Sequence, residues 1–188
     1  MPPVLRALPY FEEETVIIGR GVHETARSHQ IIVWVSVTTV EQFDPPTDRR
    51  FPAILDTGHN DNFAISPLQL RMWARLHWHE LPEEGVSRFY DAGPVIGSVA
   101  VPMRRAVVWL HPNQHGWRDH FDPLRPAVPI ELSYGIAVYG KELVGEDPNT
   151  PKLKGPRLPL LGLRALTGMG CDLRIDSRNR LVWLESPD

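Results

Sequence analysis

Apolar and polar positions alternate along much of this chain with the two-residue period of half-buried strands, most clearly in Val33-Trp34-Val35-Ser36-Val37. The same pattern, with its enrichment in Val, Ile and aromatic residues, predicts strands over residues 15–18, 31–40, 53–55, 62–65, 95–101, 106–110, 130–139, 171–175 and 180–184. A helical period interrupts it at residues 67–77. There Leu68, Met72 and Leu76 share one face, Ser66 offers an N-cap and Pro67 occupies the first helical position. A second short helix is expected from Leu163 to Gly168. The expected class is mainly β with one or two short helices.

Composition sharpens this picture. Nineteen prolines and 14 glycines are spread along 188 residues, which requires many short elements separated by turns and excludes long helices. The length suits one domain spanning residues 1–188, with residues 1–14 as an extended N-terminal arm and the core over about 31–184. Twenty Lys and Arg against 23 Asp and Glu give a net charge of −3, without the clustered basic field that nucleic acid or an anionic membrane surface would require. Cys171 is the only cysteine, so an intramolecular disulfide is impossible. No long apolar run occurs, either as a leader or as a span. A cytoplasmic, soluble protein is expected, with neither nucleic acid nor membrane as partner.

Several familiar sites fail on spacing. Gly19-Arg20-Gly21 lacks the third glycine and the helix of a dinucleotide fingerprint, and is expected to be a turn. Ser98, in Ile96-Gly97-Ser98-Val99-Ala100, lacks the spacing of a nucleophile elbow. His23 and His29 have the wrong gap for a two-histidine zinc helix, and His77 and His79 would share a side only on a strand. His111, His115 and His120 lie in one loop, where geometry does not forbid a metal. Of the six tryptophans, only Trp117, in a polar loop, is expected outside the core.

The sharpest feature is Phe51-Pro52-Ala53-Ile54-Leu55-Asp56-Thr57-Gly58-His59-Asn60, in which an apolar strand delivers a carboxylate at its end. Asp-Thr-Gly is also good turn chemistry, so two uses stay open: catalysis and turn formation. A second feature is Leu158-Pro159-Leu160-Leu161-Gly162-Leu163-Arg164-Ala165-Leu166, where an apolar strand meets a glycine and then a short helix. Its plainer use is a core strand with glycine at a tight junction.

In this order the two segments resemble the retropepsin-like (retroviral-type) single-domain aspartic proteases, over roughly residues 31–184. The resemblance implies an acid-protease barrel, a two-fold homodimer, and an endopeptidase that uses no metal or organic cofactor. It places Asp56 at the catalytic aspartate, Thr57 at the residue bracing the two active-site loops across the interface, and Gly58 where backbone approaches a polypeptide substrate. Leu161 and Gly162 fall on the motif ahead of the helix, and a terminal strand joins the interface. Because one chain carries one such triplet, Asp56 would have to meet its own symmetry mate. A catalytically silent peptide-binding or dimerisation module on the same fold is the alternative.

The chain departs from the family pattern in places. His59 follows the triplet, where a protonated imidazole would favour the ionised form of a carboxylate pair, a neutral one could donate a hydrogen bond, and one turned into the loop would do neither. Asn60 and Asp61 occupy the positions expected to bind substrate backbone, Asn60 with less charge than the family's usual residue. Arg164 comes one residue later than the family's arginine, behind Leu163. A flap is expected over residues 85–98, with Tyr90 and Gly93 in its aromatic, turn-forming tip; an ordinary surface hairpin would fit the same residues.

Overall fold

The computed structural model describes residues 3–19, 22–90, 98–130, 132–139 and 155–185, with the side chains of residues 16–23 and 87–99 left out of account. In chain order the strands are β1 (Leu5–Pro9), β2 (Thr15–Gly19), β3 (Val22–Ala26), β4 (Ile31–Thr38), β5 (Phe51–Asp56), β6 (Phe63–Ile65), β7 (Glu83–Tyr90), β8 (Ser98–Arg104), β9 (Val107–His111), β10 (Val128–Ile130), β11 (Ile136–Val138), β12 (Leu160–Gly162), β13 (Asp172–Asp176) and β14 (Leu181–Glu185). Two short α-helical elements, α1 (Pro67–Gln69), which widens into a π-helical turn over Leu70–Ala74, and α2 (Leu163–Gly168), join them, with single 3₁₀ turns at Thr47–Arg49 and Trp78–Glu80. The protein is mainly β. No helix among the described residues is long and apolar enough to cross a membrane.

Every residue of β4 is buried, as expected of a strand covered on both faces. It pairs antiparallel with β9 on one side and β5 on the other. Around it the sheet runs β10-β9-β4-β5-β12-β6-β11-β8-β7. The sheet does not close among the described residues: β10 pairs only with β9, and β7 only with β8, so the expected closed barrel is not formed. Ile32, Val35, Phe63, Ile65, Leu70, Leu110, Ile130 and Leu161 are fully buried in one core, each contributing about 1.5–3 kcal/mol by its removal from water.

Residues expected as an extended arm are extended but embedded. β1 pairs antiparallel with β14, and Val4, Leu5 and Leu8 lie in the core. β14 in turn pairs with β13, so this chain's terminal strand is flanked on both sides by its own strands. The strand expected over 130–139 is two strands, β10 and β11. Gly135 separates them with φ +67°, and a Cβ there would sit 2.3 Å from the Arg104 carbonyl oxygen.

The helix expected over 67–77 also changes character. Ser66 caps it in a capping box with Gln69: Ser66 Oγ accepts from Gln69 N at 3.1 Å, and Gln69 Oε1 accepts from Ser66 N at 3.0 Å. After Gln69 the turn widens, the Arg75 N–H bonds to the Leu70 carbonyl, and Arg75 ends it in the left-handed region. The face turned to the core is Leu70, Trp73 and Ala74, an i, i+3, i+4 set, while Leu68 and Met72 face solvent. Of the expected face only Leu76 packs against the core.

Candidate functional site around Asp56

The two sequence features meet in the centre of the sheet. β5 and β12 are parallel neighbours in a register that pairs Leu161 with Leu55 and Gly162 with Asp56. β6, which follows the Asp56 loop, pairs antiparallel with the other edge of β12. The loop from Thr57 to Asn62 therefore crosses the C-terminal end of β12. Gly162 makes the crossing possible: its N–H donates to the Asn62 carbonyl at 2.9 Å, and a Cβ there would lie 1.9 Å from the Asp61 carbonyl oxygen and 2.9 Å from that of His59. Gly162 is at once the N-cap position of α2 and a point of close backbone approach.

Asp56 forms a turn, one of the two uses left open by its sequence. Its Oδ1 accepts from Gly58 N at 2.9 Å and its carbonyl accepts from His59 N at 3.2 Å, which closes a tight turn. The carboxylate is nonetheless half-exposed at the end of a buried strand, and Thr57 and Gly58 are exposed beside it. Asn60 is exposed and Asp61 half-buried.

His59 is half-buried, and its Nε2 is buried without a hydrogen-bond partner among the described residues. Burial lowers its pKa below the ordinary histidine value, outweighing the nearby carboxylates of Asp61 and Asp56, which pull the other way. The imidazole is thus neutral at pH 7, and the protonated option is set aside there.

Tyr139 was not singled out from the sequence, where it ends a strand-like run. Parallel pairing of β11 with β6 brings it beside the site, its N–H donating to the Ile65 carbonyl at 3.1 Å. Burial first, then the charges of Asp61 and Asp56, push its phenol up to about 12. No local signal marks it, because a pairing between distant short strands sets its position.

Other expected residues fall as follows. β7 and β8 form an antiparallel hairpin over the predicted flap, with Tyr90 paired to Ser98 at its far end. Gly93 and the rest of the tip, residues 91–97, lie outside the described residues, as does the orientation of the Tyr90 side chain. Arg164 stacks 4.2 Å over the Tyr134 ring, a use unlike an interface contact.

The histidine loop does not assemble a metal site. His111 is buried and its Nε2 is 2.9 Å from Ser36 Oγ, while His120 packs edge-on against Trp117, which is exposed as expected. No three His, Cys, Asp or Glu side chains among the described residues converge as ligands. Compared with family models, curated proteins and solved structures, the chain matches none.

Proposed function

We propose that this protein is an aspartic endopeptidase, active as a two-fold homodimer in which Asp56 of each protomer forms one carboxylate pair. One observation carries the reading: the Asp-Thr-Gly strand end and the Leu-Leu-Gly strand end, far apart in sequence, are parallel neighbours with Gly162 beside Asp56. Support also comes from the exposure of Thr57 and Gly58, which leaves the loop open to a second copy and to an extended polypeptide, and from the β7–β8 hairpin in the place expected of a flap.

The chemistry follows from like charge. Two carboxylates about 3 Å apart share one proton, so the pair titrates as a unit. The ionised member takes a proton from water as the water attacks the scissile carbonyl, and the protonated member hydrogen-bonds the carbonyl oxygen. Asn60 and Asp61, following the turn, would bind substrate backbone. The binding energy of an extended substrate would then position the scissile bond.

The test incubates the protein and its Asp56→Asn variant with a diverse peptide library between about pH 4 and 7, where such a pair titrates, with cuts read by mass spectrometry. Cleavage by the wild type alone is expected, together with a dimer in sedimentation at micromolar concentration. A stable monomer would contradict the reading. Absence of cleavage by a folded dimer would instead favour the peptide-binding or dimerisation module.

A further inference from the structure

The connections between β9 and β10 and between β4 and β5 line a concavity apart from Asp56. It has a volume of about 810 Å³, within the range of small-molecule sites, and Asp56 is not among its walls. The walls are held in advance. Asn113 is buried and ties the loop to β1: its Oδ1 accepts from Arg6 N, and its Nδ2 donates to the carbonyls of Arg6, Gln114 and Trp117. Backbone bonds from Gln114 to His120 and from Asp122 to Pro112 close the loop on itself.

Two arginines line the cavity. Arg50 lies with its guanidinium 3.8 Å over the Phe121 ring, and no ion pair involves it among the described residues. Arg125 has its Nη1 buried without a hydrogen-bond partner. Buried guanidinium N–H groups are costly to leave without an acceptor. Of the two carboxylates at hand, Asp119 is engaged outside the cavity and Asp122 in its own turn. Asp119 accepts from Arg118 Nε at 2.8 Å and Nη2 at 2.7 Å, and from the Trp34 indole at 3.3 Å; Asp122 accepts from Leu124 N at 3.0 Å. Arg6 adds its repulsion to Arg125, which Asp122 only partly offsets. Arg50 and Arg125 line the cavity against Asp119 and Asp122, and because Asp119 is paired with Arg118 outside it, the two lining guanidinium groups face the one remaining carboxylate, Asp122.

We propose that this cavity binds a small organic anion, its carboxylate or phosphate held between Arg50 and Arg125 and its apolar part resting on Phe121 and Leu124. The forked donors of arginine suit either oxyanion. An anion in the cavity would offer an acceptor to which the Arg125 guanidinium can turn. The site is independent of the Asp56 chemistry and would stand if that reading failed.

The Trp34 indole N–H, bonded to Asp119 at the wall, reports on occupation by NMR. Benzoate, phenyl phosphate and neutral benzyl alcohol serve as probes. Saturable shifts with one or both anions and none with benzyl alcohol are expected, weakened about tenfold or more in Arg125→Gln and partly restored in Arg125→Lys. Response to benzoate alone assigns a carboxylate ligand, and response to phenyl phosphate alone a phosphate. Arg50→Gln gives a second arm should Arg125→Gln disturb the fold, judged by the remaining indole signals. The proposal is overturned by failure of both anions to saturate at millimolar concentration, by equal binding of benzyl alcohol, or by undiminished binding in the folded arginine variants.

Discussion

Gly162 and Asp61 approach so closely that a Cβ on Gly162 would lie 1.9 Å from the Asp61 carbonyl oxygen. Backbone sits on both sides of the contact, so no flexible side chain can give way. Gly162→Ala must part β12 from the loop that follows Asp56, and a loss of about 2–4 kcal/mol is expected from overpacking and the strained crossing. Urea unfolding measures it. A midpoint equal to that of the wild type would mean that the loop yields freely, and that Gly162 does not fix the position of Asp56.

His111 should make the fold sensitive to acid. Burial first, and the Arg50 charge second, lower its pKa from 6.5 to about 4. The unfolded chain therefore binds a proton at pH values where the folded one does not. Stability from this group is complete above pH 6.5 and is lost as pH falls through about 4, to a total of about 3 kcal/mol. In His111→Asn, the urea midpoint should vary less over that interval, and an unchanged slope would remove His111 as the cause.

Tyr139 predicts the opposite limb. Its phenol is pushed from 10 up to about 12, so its contribution is complete below pH 10 and disappears as pH rises through 12. Ultraviolet titration should show a late tyrosinate step that Tyr139→Phe abolishes. Were the step to survive the substitution, Tyr139 would not be its source.

The legible parts of the molecule are those set by local chemistry. Alternation located β4, the Ser66 cap located the start of α1, and the apolar-to-glycine junction located α2. What alternation cannot give is which strands meet, and so neither the insertion of β12 between β5 and β6 nor the placement of Tyr139 was readable. The buried face of the helix is not legible for a different reason: Leu70, Trp73 and Ala74 form a second apolar set at helical spacing, and period alone does not choose between it and Leu68, Met72 and Leu76. The buried residue is Trp73, 5.5 Å from the Phe51 ring centroid, and the exposed one is Met72.

Trp73 and Met72 should therefore respond differently to substitution. Trp73→Ala should cost about 3–5 kcal/mol through lost burial and a residual cavity, whereas Met72→Lys should stay within about 0.5 kcal/mol. Thermal and urea unfolding of the two variants side by side would decide. A reversed ranking would restore the Leu68, Met72 and Leu76 face.

His59 connects the local electrostatics to the proposed reaction. It is neutral at pH 7 because burial outweighs the nearby carboxylates, and its folded pKa lies below the ordinary value. As pH falls through that lowered value, a positive charge forms beside Asp56. A cation there favours the ionised form of the Asp56 pair, so the pair keeps its catalytic charge to lower pH than it otherwise would. His59→Ala should therefore move the acid limb of the pH–rate profile upward, leaving the rate near pH 7 little changed. Comparison with Asp56→Asn, expected to be inactive throughout, separates loss of tuning from loss of the pair. An acid limb that stays in place in His59→Ala would mean that the buried imidazole serves the loop alone.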